Sequence, residues 1–217
     1  MVELFYKVLA AYLIGNLMGG QLVGKLRGGV DLRQHGSGNV GATNALRTQG
    51  KGFALAVLLI DIFKGVGAVT FIPAVQWSWA GATGASHDVQ AYCCGVAVAL
   101  GHCYPVFYRF KGGKGVATLA GVFGTLMWPA LLWMLGAFIL VVLLTGYASL
   151  ATLTGALAAL LYVSFDTAGG IQSAAGMFTL AMCTLVVWKH RENVGRLLRG
   201  NEHRFEKARV LGRWLSR

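Results

Sequence analysis

Long apolar runs separated by short polar stretches dominate the chain. One runs from about Leu4 to Gly24, a second from Gly52 to Ile72 and a third from Val89 to Tyr108. Each meets the roughly 17–25 residues that a helix needs to cross a hydrocarbon core about 30 Å thick. From Val116 to Phe165, fifty residues pass without a single charged side chain. As one helix they would extend about 75 Å, too far for one crossing. Breaks at Trp128-Pro129, Thr145-Gly146 and Asp166 to Gly170 divide this stretch into 112–128, 129–146 and 148–165, and a last apolar segment runs from Ile171 to Trp188. Pro73 and the Trp77/Trp79 pair mark an interface between the second and third runs, where aromatic belts sit. The first run carries Asn16 and Gln21, follows Glu3 and has no small-x-small cleavage site, so it reads as a retained span rather than a leader.

Composition supports a membrane protein. Of 217 residues, 56% are hydrophobic and 12% charged, against about 25% charged in a soluble domain. That excludes a disordered chain and an ordinary soluble globule. The 31 glycines suit transmembrane helices. The net charge is +11, and its placement matters more than its size. Seventeen of the 19 basic residues lie in three segments, 25–51, 109–115 and 189–217; the exceptions are Lys7 and Lys64. The positive-inside rule puts all three segments in the cytoplasm. Two spans then separate the first from the second, and four fit between the second and the tail. The expected fold is an all-α integral membrane protein, a seven-span helix bundle with its N-terminus outside and C-terminus inside. Five spans plus re-entrant segments is the alternative. The chain reads as a single domain over 1–217, ending in a basic tail over 189–217. Asp61 and Lys64, mid-span at i, i+3, read as a pair that neutralises itself, and a proton or ion pathway is the other reading. Nucleic acid is not an expected partner, because the basic residues sort by membrane side and form no binding module. Cys93, Cys94, Cys103 and Cys183 lie in apolar runs without metal-ligand spacing and read as small buried hydrophobes, so no metal is expected.

Three motifs fall in the basic segments. The first is His35-Gly36-Ser37-Gly38-Asn39-Val40-Gly41-Ala42-Thr43-Asn44-Ala45-Leu46-Arg47. Glycines here let backbone N–H groups converge on an anion, and Arg47 supplies a bidentate phosphate ligand. A plain turn is the other reading. The second is Phe110-Lys111-Gly112-Gly113-Lys114-Gly115-Val116-Ala117-Thr118, again glycines around a lysine at a helix start, with a positive-inside anchor on flexible hinges as its other reading. Neither loop is a Walker A motif, because Gly50-Lys51 and Gly113-Lys114 are each followed by glycine where that motif needs Ser or Thr. The third follows the last apolar run, where His190 and Asn193 share a helix face that Arg196 and Leu197 continue. These residues suit phosphate ligation or proton transfer. Beyond Phe205 the tail reads as a basic amphipathic segment lying on anionic lipid. Ser149 lies at the 146–149 break, on the same expected face. His102 reads as a satisfied bundle residue, and His87 falls outside.

Gly36-Ser37-x-Asn39-x-Gly41-x-x-Asn44-x-x-Arg47, Gly112-Gly113-Lys114-Gly115-Val116-Ala117-Thr118, and His190-x-x-Asn193 with Gly200-x-Glu202 resemble the three motifs of the bacterial acyl-phosphate:glycerol-3-phosphate acyltransferases, the PlsY family. Asp61-x-x-Lys64-Gly65 resembles that family's second span. The resemblance covers essentially the whole chain. Departures are small: Val40 and Val194 stand where Ile is frequent, and Cys103-Tyr104 precede Pro105.

The resemblance implies an enzyme of the bacterial plasma membrane that moves an acyl chain from acyl phosphate to the 1-position of glycerol 3-phosphate, giving lysophosphatidic acid, the first committed acylation of phospholipid synthesis. It implies no cofactor, and a functional link to the soluble enzyme that makes acyl phosphate. Ser37, Gly38, Asn39, Thr43, Asn44 and Arg47 would bind phosphate, as would Gly112, Gly113, Lys114 and Gly115, with Ser149 joining them. His190, Asn193, Lys114 and Ser37 would form the catalytic set, and Glu202 would support the structure. The soluble acyltransferase signature H-x-x-x-x-D is absent: residues 40, 92, 107, 195 and 208, five beyond each histidine, are Val, Tyr, Phe, Gly and Ala. Ser37 as nucleophile, with His35 or His190 as its base, stays open by spacing. The activated donor favours direct transfer, in which positioning and charge stabilisation supply the acceleration. A transporter would put its ligands near the bilayer midplane, where only Asp61 and Lys64 lie.

The charge pattern sets a topology test. In a background with the four native cysteines replaced by Ala, Arg33→Cys, Arg109→Cys and Arg204→Cys are expected to react with an impermeant thiol reagent only from the cytoplasmic side. Ser86→Cys is expected to react only from outside. External labelling at position 109 would invert the assignment.

Overall fold

The computed structural model of the chain describes residues 2–77, 81 and 83–215. Trp79 of the expected interface pair and Arg217 of the tail lie outside them. The described residues form helices, turns and no strand. Two compact units, 1–127 and 128–217, divide the chain.

The first unit holds α1 (Val2–Gly15), α2 (Gly19–Leu26), α3 (Ala42–Thr48), α4 (Lys51–Ala74), α5 (His87–Cys103) and α6 (Val116–Leu126). α4 is the central element and packs on α1, α2, α3, α5 and α6, while α1 packs along α5. Glycine sets these approaches. A Cβ on Gly15 would meet the backbone of Gly101, one on Gly65 the carbonyl of Thr118, and one on Gly121 the carbonyl of Ile62. Close backbone approach through small residues is how helices gain packing energy in lipid, where burial from water cannot drive them together.

The two basic residues outside the three basic segments are both buried. Lys7 ion-pairs with Glu3 at 2.8 Å and donates to Gln90 Oε1 at 2.8 Å and to the Pro73 carbonyl at 2.9 Å. Lys64 ion-pairs with Asp61 at 2.7 Å, as the i, i+3 spacing predicts.

The second unit holds α7 (Trp128–Thr145), α8 (Ala148–Asp166), α9 (Ala174–Lys189), α10 (Arg191–Leu198) and α11 (Val210–Trp214). α7 and α8 form a hairpin, α9 packs on α8, and α11 lies against α7. Only Ala130 of α7 is buried, so its apolar faces are those of a helix standing in lipid.

The expected seven spans are not all reached by length. Among the described residues, four helices are long and apolar enough to cross a membrane: Lys51–Ala74, His87–Tyr108, Trp128–Thr145 and Ala148–Asp166. The run expected as one span over 4–24 is broken, with α1 and α2 meeting at 44°, and counts as a fifth only if the bent pair is one span. At the break, Asn16 turns its amide back onto the Tyr12 carbonyl at 2.7 Å, which competes with the helical ladder. α6 has 11 residues and α9 has 16, giving about 16 and 24 Å of helix, short of the hydrocarbon thickness.

Gly121→Ala tests the glycine contacts. Its Cβ would press on the Ile62 backbone, which cannot swing aside as a side chain can. A loss of about 1–3 kcal/mol is expected, the usual cost of overpacking. It would be read as a lowered melting temperature in detergent, and an unchanged value would refute the contact.

Candidate functional site

In the first unit, the segment between α2 and α3 is anchored at its base. Asp31 accepts from Gln21 Nε2 at 2.9 Å and from the Arg33 amide at 3.0 Å, and the Arg33 guanidinium grips its carboxylate at 2.7–3.0 Å. The Arg33 hydrogen bonds, outweighing burial, hold the Asp31 carboxyl far below the usual carboxylate range. A small apolar core of Val23, Leu32, Ala45, Phe53, Ala54 and Val57 lies among α2, this segment, α3 and α4.

Asn44 organises the loop above that base. Its Oδ1 accepts the Ser37 amide at 3.0 Å, and its Nδ2 donates to the carbonyls of Leu32, His35 and Asn39 at 3.2, 2.9 and 2.8 Å. Gly36 has φ +59°, and a Cβ there would overlap Asn44 Oδ1, so both backbone and space require glycine. Asn44 is buried and its amide is spent on the loop, which shifts its expected role from phosphate ligand to scaffold. Asn39 Oδ1 accepts the Gly41 amide at 3.0 Å. Ser37, Gly38 and Thr43 are exposed, and Arg47 is half-buried in the last turn of α3. His35 points its Nδ1 at the Asp31 carbonyl, 2.9 Å away, so this ring nitrogen is engaged away from Ser37.

The second loop follows a strained turn. Arg109 and Phe110 have φ +54° and +60°, a left-handed conformation rare outside glycine and sustained only where the surroundings enforce it. Here the amides of Tyr108 and Phe110 both donate to the Pro105 carbonyl, at 3.1 and 2.9 Å. Gly113 donates its amide to the His102 carbonyl at 3.1 Å. Gly115, at φ +82°, starts α6, and no side chain caps that helix. Lys114 therefore stands half-buried beside a helix N-terminus, an arrangement that favours anions. The Arg33 guanidinium lies 6.0 Å from the Tyr108 ring centroid, so the two loops of this unit are neighbours.

In the second unit, Glu202 is a hub. Its carboxylate accepts from Ser149 Oγ at 3.1 Å, Asn193 Nδ2 at 2.8 Å and Arg196 Nε at 2.7 Å. Burial alone would raise its pKa, but hydrogen bonds from Arg196 and Asn193, the Arg196 charge and the Ser149 hydroxyl hold it below the ordinary value of 4.5. Ser149 was expected among the phosphate ligands; its one hydroxyl proton is committed to Glu202, which makes it a support. The tail also ties to the α7–α8 turn: Phe205 donates its amide to Gly146, and Arg204 donates to the Thr145 carbonyl, each at 2.8 Å. Arg196 as the partner of Glu202 was not singled out from the sequence, although its place on the His190 face was visible.

His190 is buried at the kink between α9 and α10. Its Nδ1 lies 2.8 Å from the Val186 carbonyl. A carbonyl only accepts, so Nδ1 carries the proton and Nε2 is the acceptor nitrogen of the neutral ring. Among the described residues, no three His, Cys, Asp or Glu side chains gather as a metal site would.

Residues 5–200 match the family described as glycerol-3-phosphate acyltransferase. The chain is 40% identical to a glycerol-3-phosphate acyltransferase of Zymomonas mobilis over 195 residues, which cover 89% of this chain and 91% of the relative. It is 38% identical to one of Aquifex aeolicus over 212 residues, covering 94% and 100%. Its fold is similar to a crystal structure of PlsY (YgiH), an integral membrane glycerol 3-phosphate acyltransferase, in its glycerol 3-phosphate form. That likeness has a TM-score of 0.80 at 35% identity and covers 96% of this chain and 98% of the other. A lysophosphatidic acid form of PlsY matches with a TM-score of 0.79 at 34% identity, with the same coverage.

The Glu202 hub carries a pH prediction. A carboxyl held below its ordinary pKa contributes stability above about pH 4.5 and loses it as pH falls through the lowered value. Glu202→Gln is expected to cost about 1–3 kcal/mol at pH 7. The difference should close as pH falls through the lowered value, where the wild-type carboxyl becomes neutral too. Thermal unfolding of both proteins across this range is the measurement, and a gap independent of pH would contradict it.

Proposed function

Because the chain belongs to the glycerol-3-phosphate acyltransferase family, we propose that it transfers a fatty acyl chain from acyl phosphate to the 1-position of glycerol 3-phosphate, releasing lysophosphatidic acid and phosphate. The observation that carries this reading is the pair of neighbouring glycine-rich loops in the first unit. They present Ser37, Thr43, Arg47 and Lys114 from backbones fixed by Asn44, Asp31 and the Arg109-Phe110 turn. Both substrates carry phosphate, so both need cationic, donor-rich cradles.

The donor is a mixed anhydride with a good leaving group. The 1-hydroxyl oxygen of glycerol 3-phosphate attacks the acyl carbonyl carbon and forms the new ester bond. The bond from that carbon to the phosphate oxygen breaks, and phosphate leaves with the electron pair. The hydroxyl proton passes to a base, either His190 Nε2 or a substrate phosphate. Transfer is direct, through a ternary complex. Ser37, Gly38, Asn39, Thr43, Arg47, Gly112, Gly113, Lys114 and Gly115 hold phosphate. Lys114 and Arg47 offset charge on the leaving group, and backbone N–H groups assist. Asn193 holds His190's neighbourhood in register through Glu202, which Ser149 and Arg196 also brace.

The same reading makes the whole chain one acyltransferase in a bacterial plasma membrane, with seven crossings in which α6 and α9 are short. The N-terminus lies outside, and the motifs and tail face the cytoplasm. There a soluble enzyme would supply acyl phosphate, and the product would enter the adjoining leaflet.

The test is the purified full-length protein with glycerol 3-phosphate and either acyl phosphate or acyl-CoA, with lysophosphatidic acid measured. Turnover is expected with acyl phosphate alone. Lys114→Ala and Arg47→Ala should each lose about 100-fold or more, the scale of removing one charge-stabilising donor. His190→Ala should lose a similar amount as base or ligand. Robust turnover with acyl-CoA would overturn the donor assignment. An acylated Ser37, formed from acyl phosphate alone and competent to pass its chain on, would overturn direct transfer.

A further inference from the structure

Three buried ionisable side chains of the first unit take no part in that chemistry. Lys64 Nζ lies 2.7 Å from Asp61 Oδ1 and 2.6 Å from His102 Nδ1, and His102 Nδ1 lies 3.5 Å from Asp61 Oδ1. None of the three residues is more than 6% exposed. Ions in a low-dielectric interior are a poor way to hold helices together, since well-packed apolar residues do it at lower desolvation cost. What ions and imidazoles offer instead is direction, and this cluster reaches two specific places.

The first is the break between α1 and α2. Lys64 donates to the Leu17 carbonyl at 2.9 Å, and Asp61 accepts the Gly19 amide at 3.2 Å. One ion pair thus satisfies a backbone group on each side of the bend. Behind it, α2 carries the first loop. A Cβ on Gly20 would meet the Val40 carbonyl and Leu32, and Gln21 holds Asp31.

The second place is the loop around Lys114. The His102 imidazole lies against Gly113, where a Cβ would overlap Nε2 and stand 3.1 Å from Cδ2 and Cε1. Gly113 is not among the glycines with positive φ, so its backbone would accept alanine; the imidazole is what excludes a side chain. Gly112 differs, because a Cβ there would meet the backbone carbonyl of His102 and the Pro105 ring.

We propose that Asp61, Lys64 and His102 are positioning residues that set the distance between the two phosphate-holding loops of the first unit. The ion pair fixes the direction in which α2 leaves the break, and with it the first loop. The imidazole seats Gly113, and with it Lys114. This rests on the reading of both loops as phosphate cradles.

The experiment is a double-mutant cycle on the purified full-length enzyme in lipid nanodiscs, with acyl phosphate and glycerol 3-phosphate each varied. Gly113→Ala is expected to raise KM for at least one substrate tenfold or more while kcat changes less than threefold. His102→Ala is expected to raise the same KM. The double variant should resemble His102→Ala alone, because the small side chain leaves room for the new methyl. Gly112→Ala presses on backbone, so its effect should multiply with that of His102→Ala. If His102→Ala is not recovered folded, His102→Asn shortens the same side chain and completes the cycle.

A purely structural role predicts unchanged KM, with activity falling in proportion to folded protein; that result overturns the proposal. So does a Gly113→Ala effect of the same size in both backgrounds. Lys114→Ala, measured alongside, separates the two levels. Full activity in that variant overturns the phosphate reading and this inference together. A large loss with no coupling between Gly113 and His102 overturns this inference alone.

Discussion

Every polar group that this chain carries into the bilayer must find its partner within the chain, because lipid supplies none. Lys7 and Lys64 show how strictly this holds. Each is an ammonium inside a helical bundle, and each is surrounded: Lys7 by Glu3, Gln90 and the Pro73 carbonyl, Lys64 by Asp61, His102 and the Leu17 carbonyl. All other basic residues lie in the three basic segments 25–51, 109–115 and 189–217. The same constraint explains why polar loops of any length occur only between apolar helices. It also explains why the candidate phosphate ligands collect in the polar segments between the apolar helices, not within those helices.

Within the helices, glycine does the work that hydrophobic side chains do in a soluble core. Gly15, Gly65 and Gly121 each stand where a neighbouring backbone leaves no space for a methyl group. Helices held this close transmit position over short distances with little slack. The two loops of the first unit are then mounted on a frame rather than tethered to it. Asn44 and Asp31 hold the first from below, and His102 and the Pro105 carbonyl hold the second.

The apolar helices α4, α7 and α8 were legible in the sequence because their signal is local: a run of the right length between recognisable breaks. The bend between α1 and α2 was not. Asn16 and Gly19 are visible in the sequence, but what stabilises the broken backbone comes from Asp61 and Lys64, more than forty residues away. α6 and α9 came out shorter than expected for a related reason. Gly112 to Gly115, with Lys114 among them, form a loop on His102 and do not extend α6, and Gly170 to Gln172 form a separate turn before α9. The candidate site followed the same division. Ser37, Arg47, Lys114 and His190 could be picked out by residue type and spacing. The roles of Asn44 and Ser149 could not, because they depend on which partner takes the amide or the hydroxyl proton, and the fold alone decides that.

The acidic residues complete the electrostatic logic. A phosphate-binding surface that uses carboxylates to shape its loops risks repelling its own ligand. Asp31 and Glu202 brace the segments that carry candidate ligands of their respective units, and each is ion-paired with an arginine, Arg33 and Arg196. Each is also saturated by neutral donors, Gln21 for one and Ser149 with Asn193 for the other. The carboxylates therefore supply rigid acceptors for loop construction while their charge is cancelled locally. Lys114 and Arg47 then set the sign of the first unit's loops, and the tail's basic excess sets that of the second.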